Sequence, residues 1–401
     1  MLIKNGLIFI NNKAVPKDIL IENEKIIKIQ DNISVDSNKN HKIIDAKGKY
    51  ILPGIIDPHT HMRDPGLTYK EDFSTGSMAC AKGGITTFLD MPNTIPNTIT
   101  EEELLKKKQH SKNRSFVDYA FYFGGSKLDN SEEVKKVIDL SVATKIFMNV
   151  STGNMLVEDE KILKNIFNNS KLVAVHAEGE MVKKAIEISA ETKTPLYLCH
   201  LSTKKEIEYL KEAKNNNLKV YGEVTPHHLF LNESNLKDNP LLIMKPELKT
   251  KEDNEALWEA INEGIIDTIG TDHAPHTFEE KSNNSIYGIP GVENSLELML
   301  QAVKEKKITI EKLIQLMSEN PSKIFGLKSK GNLKVGYDAD IILVDLNIDE
   351  KISDKNIISK CNWTPYKSFN KGGKVMMTIV RGNIVFNNGK FNNLKIGKEV
   401  V

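Results

Sequence analysis

The sequence predicts an α/β fold: a TIM-like (β/α)8 barrel with a small β-sandwich domain built from both chain termini. Three observations lead there. Between residues 51 and 330, eight apolar runs alternate with charged segments, several of helical period. Short, β-branched runs bounded by turn residues suit the buried strands of a parallel sheet. The residues able to do chemistry fall mostly at the C-terminal ends of those runs, where a parallel barrel gathers its site.

Taken in order, residues 1–50 read as short strands, Leu2–Ile10 and Asp18–Ile29, with a hairpin turn at Glu22-Asn23-Glu24-Lys25. The other end repeats the pattern in Asp338–Asp345 and Lys374–Phe386, with Asn388-Gly389 as a hairpin signal. Either unit alone is marginal. One composite domain, 1–50 with 331–401, is therefore expected around a barrel of 51–330. The barrel runs are Ile51–Asp57, Ile85–Asp90, Val117–Phe123, Lys145–Val150, Leu172–His176, Leu196–His200, Lys219–Thr225 and Ile265–Gly270. Helical segments are expected at Glu101–His110, Ser131–Leu140, Lys161–Asn168, Lys204–Asn215 and Asn254–Asn262.

The bulk numbers narrow the classes. The chain has 401 residues, 39% hydrophobic and 27% charged, enough for a large core. A net charge of +1 gives no global attraction to nucleic acid or to an anionic membrane. Cys80, Cys199 and Cys361 lie far apart, which suits a reducing compartment and no disulfide framework. No apolar run is long enough to span a bilayer, and no leader pattern opens the chain. A cytoplasmic protein is the expectation.

Most of the ten histidines mark strand ends. The first run empties into His59-Thr60-His61, whose side chains, two apart, can face one point. Later runs end in His176, His200, His227-His228 and Asp272-His273. Four imidazoles and a carboxylate (His59, His61, His176, His200 and Asp272) exceed one tetrahedral zinc and suggest two metals sharing a bridge. The fourth run offers no acidic residue for that bridge; Lys145 stands in its place. An ammonium beside two dications is untenable, whereas a neutral amine adds carbon dioxide to give a bridging carbamate.

Asp57-Pro58-His59-Thr60-His61-Met62-Arg63-Asp64-Pro65-Gly66, Met91-Pro92-Asn93-Thr94, Thr225-Pro226-His227-His228 and Thr271-Asp272-His273-Ala274-Pro275-His276 resemble the motifs of dihydroorotases, cyclic amidohydrolases of pyrimidine synthesis. The resemblance covers nearly the whole chain. Lys145-Ile146-Phe147-Met148-Asn149 is similar to the carboxylated-lysine segment of the animal multifunctional pyrimidine enzyme and of hydantoinases, where many bacterial long-form dihydroorotases carry Asp. The spacings of 24 residues from His176 to His200 and 72 from His200 to Asp272 also resemble the animal type.

The resemblance implies two zinc ions: one on His59, His61 and Asp272, the other on His176 and His200, bridged by carboxylated Lys145. It implies a hydroxide shared by the metals and Asp272 as the proton carrier. Reversible closure of N-carbamoyl-L-aspartate to dihydroorotate is the implied reaction. Arg63, Asn93 and His276 would hold the substrate carboxylate, and Gly291 would give a backbone contact to the ring. Thr152 would belong to a loop over the substrate. Lys245 reads as a helper to the carboxylate or as a solvated lysine. His227 and His228 read either as braces for a ligand or loop or as structural, and Cys199 as packed outward.

A hydantoinase or allantoinase shares the metal set, but hydantoin lacks the carboxylate that calls for Arg63. An inactive partner of aspartate transcarbamoylase would have lost its histidines; this chain keeps them all. The expected partners are a small-molecule substrate, a second copy in a homodimer, and an aspartate transcarbamoylase, with no nucleic acid and no membrane.

Overall fold

The computed structural model describes residues 1–34, 42–151, 154–283 and 286–401. Eight parallel strands make the centre: β1 (Ile55–Thr60), β2 (Ile85–Asp90), β3 (Asp118–Phe121, resuming at Phe123–Gly124), β4 (Thr144–Phe147), β5 (Val173–His176), β6 (Leu196–Leu198), β7 (Val220–Val224) and β8 (Thr268–Ile269). The ring closes where Thr60 bridges His273 and the His61 N–H donates to the His273 carbonyl at 2.8 Å.

Strand alternation sorts the core. Ile56, Leu89, Ala120, Ala174, Tyr197 and Cys199 fill the ring, sealed at one end by Phe325, Leu327 and the half-buried Val400 and Val401. Their neighbours Ile55, Phe88, Phe121, Val173, Val175 and Leu198 pack against the surrounding helices. Toward the C-terminal strand ends ionisable residues replace the apolar filling.

The first run is two strands, not one. Tyr50–Pro53 pairs antiparallel with Ile341–Asp345 in the terminal sheet, and the barrel strand begins at Ile55. Gly54 makes the junction: a Cβ there would sit 2.1 Å from the Thr86 hydroxyl oxygen. Strand β4 stops at Phe147, short of Val150, and β8 is shorter than its apolar run. Helix Lys204–Asn215 has the expected bounds, with a Thr203–Glu206 capping box at its start. Helices Glu101–Ser111, Glu160–Asn168 and Lys251–Glu263 lie close to expectation, while Ser131–Lys136 stops before Leu140.

Among the described residues the terminal sheet has nine strands, from both ends of the chain. Its hairpin at Asn23-Glu24 has φ of 49° and 68°, the twisted turn that suits a tight hairpin. The sheet curls on itself: Ile26 N–H donates to the Tyr337 carbonyl, and Lys25 bridges Asp338. Ile3, Ile19, Ile21, Ile341, Leu343 and Ile379 lie within the curl. Ile342 and Val344, on the opposite face, join the barrel's outer core. After Asp345 the chain leaves the sheet and returns to the barrel, where Lys360 pairs with Asp72 at 2.6 Å and Trp363 Nε1 donates to the His276 carbonyl at 3.0 Å. Among the described residues no helix is long and apolar enough to cross a membrane.

Candidate active site

The barrel brings the metal-type residues together. His59 lies on β1, His61 just past it, Lys145 on β4, His176 at the end of β5, and His200 and Asp272 just past β6 and β8. His59 Nε2 and His61 Nε2 stand 3.2 and 2.9 Å from one oxygen, Asp272 Oδ1. Ligand atoms of His59, His200 and Asp272 lie within 4.8 Å of one another. His176 Nδ1 meets His200 Nε2 at 2.8 Å. Lys145 is fully buried, its Nζ 2.9 Å from Cys199 Sγ and 5.3 Å from the Phe147 ring centre.

Proton accounting tests whether a metal fits. His59 Nδ1 faces Glu223 Oε1 at 2.7 Å, and His61 Nδ1 faces Asn93 Oδ1 at 2.7 Å. Both acceptors place the ring proton on Nδ1. Burial holds His61 neutral, with its pKa down at about 4. Its Nε2 lone pair therefore points at a carboxylate oxygen, an arrangement that asks for a cation between them. At His59 burial opposes the imidazolium, yet Glu223 and Asp272 outweigh it and raise the pKa, a measure of their pull on any cation there. His200 Nδ1 is buried with no hydrogen-bond partner among the described residues, and His176 Nε2 meets Glu178 Oε1 at a long 3.5 Å. Burial first lowers the pKa of both rings. The neutral His61, His176 and His200 rings, the unpartnered His200 Nδ1 and the shared Asp272 carboxylate suit a zinc-type ion.

Three site residues have left-handed backbones: Arg63 (φ 60°), His200 (φ 38°) and Asp272 (φ 46°). Each such conformation costs about 1–3 kcal/mol and persists only where the surroundings enforce it. His200 explains why Cys199 does not pack outward as expected. Tyr197 and Cys199 share the inward parity of β6; the chain then leaves the extended backbone, and His200 turns inward as well.

Beside this cluster lies a narrow cleft lined by residues that include His61, Arg63, Asn93, Lys245, Asp272 and Gly288. Arg63 is buried, with Nε donating to the Pro275 carbonyl at 3.2 Å and Nη2 lying 3.1 Å from His276 Nε2. Its two acidic sequence neighbours are engaged elsewhere. Asp64 takes Arg114 and His110, and Glu71 takes Ser359 and Thr75. Burial lowers the Arg63 pKa to about 10, so the guanidinium stays charged at neutral pH.

The remaining expected residues divide. Lys245 lines the cleft but pairs with Glu247 at 2.6 Å. Gly291 gives its N–H to His273 Nδ1 at 3.1 Å, and Gly288 lies on the cleft wall. His228 braces a loop: its Nε2 reaches the Pro246 carbonyl at 3.1 Å and its Nδ1 the Thr225 hydroxyl at 2.9 Å. Thr152 lies outside the described residues.

Sequence reasoning missed two carboxylates. Glu223, fully buried on β7, accepts from His59 Nδ1, from the His200 N–H at 2.9 Å and from the Tyr197 hydroxyl at 2.8 Å. Asp57 accepts from the Thr271 hydroxyl at 2.6 Å and the His59 N–H at 3.1 Å, joining the first strand to the last. Burial raises the Asp57 pKa to about 6. The usable signal for each was an acidic residue inside an apolar run.

The chain matches the model of the amidohydrolase family over residues 50–385. It is 37% identical to a protein of Methanosphaera stadtmanae named dihydroorotase, over 94% of each chain. It is 36% identical to a Pyrococcus furiosus protein of the same name, over 99% of this chain and 95% of that one. Among solved structures it is similar to the L-hydantoinase of Arthrobacter aurescens, with a TM-score of 0.93, 29% identity and coverage of 100% and 99% of the two chains. The dihydropyrimidinase of Brevibacillus agri NCHU1002 gives 0.90 at 27% identity, over 100% and 98%. Strand order, metal-type cluster and near-complete coverage agree: this chain belongs to the amidohydrolase family.

Proposed function

We propose that the chain is a dihydroorotase, closing N-carbamoyl-L-aspartate to dihydroorotate with loss of water, and reversing that step. The observation that carries the reading is Arg63. A buried guanidinium with no carboxylate ion pair among the described residues is costly unless an anion joins it. A substrate carboxylate is such an anion, and the planar fork suits it. The dihydroorotase names of the relatives support the same substrate.

The family is metal-dependent, and the residues here suit that. His59, His61 and Asp272 would hold one zinc, and His176 and His200 a second. Lys145, fully buried and without a carboxylate partner among the described residues, is suited to carboxylation by carbon dioxide, which gives the anionic bridge the set otherwise lacks. When bound, the pair supplies hydroxide near neutral pH and polarises the scissile carbonyl.

The chain's own residues do the rest. Glu223 and Asn93 orient the His59 and His61 rings through Nδ1, leaving Nε2 to ligate. Arg63 takes the substrate carboxylate, with His276 beside it; Asn93, on the cleft wall, is the third contact. In the hydrolytic direction Asp272 receives the proton of the attacking water and passes it to the leaving ring nitrogen. A homodimer and docking on an aspartate transcarbamoylase belong to this proposal and are read by light scattering with and without that enzyme.

The hydantoinase reading has the structural neighbours in its favour. The test is an assay of purified protein with N-carbamoyl-aspartate, dihydroorotate, hydantoin and allantoin, alongside metal analysis. Turnover of the first two and two zinc per chain are expected. Turnover of hydantoin without dihydroorotate sinks the substrate assignment.

A further inference from the structure

Four polar groups face the His276 ring and constrain where its proton sits: Lys70 Nζ and, farther off at 3.7 Å, Glu280 Oε2 on the Nδ1 side, and Arg63 Nη2 and the Tyr287 carbonyl on the Nε2 side. Lys70 Nζ stands 3.0 Å from His276 Nδ1. An ammonium donates and has no lone pair, so Nδ1 accepts. The ring proton then lies on Nε2, which donates to the Tyr287 carbonyl at 2.9 Å. Arg63 Nη2, 3.1 Å from that same Nε2, is a donor beside a donor. A carboxylate arriving there would take one oxygen to Arg63 Nη2 and the other to the Nε2–H in place of the Tyr287 carbonyl.

Lys70 is suited to hold this arrangement. It is buried, and Glu280 Oε1 fixes its Nζ at 2.9 Å while accepting from the Tyr69 hydroxyl at 2.9 Å. Arg63 and Tyr287, which both meet His276 Nε2, line the cleft, whereas the ring and Lys70 stand behind them, so Lys70 acts through the ring. The imidazolium is disfavoured by burial and then by Arg63 and Lys70, which bring the His276 pKa down to about 2.

We propose that Lys70 is a positioning residue for carboxylate recognition: it locks His276 as the neutral Nε2–H tautomer, so that the ring presents a donor beside Arg63. The inference rests on the dihydroorotase reading.

The test compares metal-loaded wild type with Lys70→Met and Lys70→Arg. Steady-state kinetics use dihydroorotate, and calorimetry uses dihydroorotate and dihydrouracil, the same ring without the carboxylate. Lys70→Met is expected to raise KM for dihydroorotate about tenfold or more with a smaller change in kcat, as for a lost charged hydrogen bond. Lys70→Arg should restore most of the loss, and dihydrouracil affinity should not move. An unchanged KM, or equal weakening of both ligands, overturns the inference. A wild type inactive on dihydroorotate overturns the functional reading instead. The tautomer is read independently, in wild type labelled with 15N-histidine and with His276 assigned by its loss in His276→Asn. An unprotonated Nδ1 is expected; a protonated one overturns the inference even if Lys70→Met does not fold.

Discussion

Arg63 and Lys145 are both buried without a carboxylate ion pair among the described residues, and the proposed function gives each a different anion. For Arg63 the proposed anion is the substrate carboxylate. Arg63→Met should raise KM for N-carbamoyl-aspartate about 30-fold or more and leave the metal content intact, because a charged contact is lost outside the ligand set. An unchanged KM removes it from substrate binding. For Lys145 the proposed anion is a carbamate made on the side chain itself. Lys145→Ala should lose most of its metal and its activity, and two retained metals with full activity refute the bridge. At this scale the residues that cluster at the barrel's C-terminal end were legible, because His-x-His and histidines at strand ends are local patterns. Glu223, Lys70 and the inward Cys199 were not. Glu223 meets His59 only after β1 and β7 face each other across the ring, and the inward turn of His200 depends on a left-handed φ that no local pattern announces.

Among the elements, helix Glu101–Ser111 shows how an outer helix reaches the site. Its Lys107 is buried, with Nζ 2.6 Å from Asp90 Oδ2 and 2.8 Å from the Met91 carbonyl. The other Asp90 oxygen accepts from the Met62 N–H at 2.7 Å, at the residue before the left-handed turn of Arg63. Lys107→Ala leaves a buried carboxylate unpaired and should cost about 3–5 kcal/mol in chemical denaturation. A loss below about 1 kcal/mol would place the pair among dispensable ones. Most strands and helices were legible from period and spacing. The split of the first run at Gly54 was not, because apolar character continues through both strands and only a tertiary clash with Thr86 marks the break. The return of residues 350–370 to the barrel left no periodic trace either, since its contacts are single side chains such as Trp363 and Lys360.

For the whole molecule, stability should carry the signature of Lys281. Its Nζ donates to the carbonyls of Ile243 and Ile286 at 2.7 and 2.8 Å, tying together two loops near the cleft. Burial lowers its pKa from the ordinary 10.5 to about 8. Between those values the unfolded chain binds more protons than the folded one, so this contribution to stability rises with pH across the window and is lost as pH falls through about 8. Denaturation of wild type and Lys281→Met from pH 7 to 10.5 should show wild type gaining on the variant as pH rises; parallel profiles refute the assignment.

The junction at Gly54 also bears on how the chain is made. Strand Tyr50–Pro53 emerges early in synthesis, yet its antiparallel partner Ile341–Asp345 follows the entire barrel. The ring itself stays open until β8 and His273 reach Thr60. A nascent chain thus carries an unpaired sheet edge and an unfinished ring through most of translation, and both are resolved near its end. A product cut short before Ile341 keeps the exposed edge, and one cut before Asp272 also lacks the residue that meets both His59 and His61. Chain order therefore makes catalytic competence a late event, and gives prematurely terminated products an exposed edge for chaperones and proteases to engage.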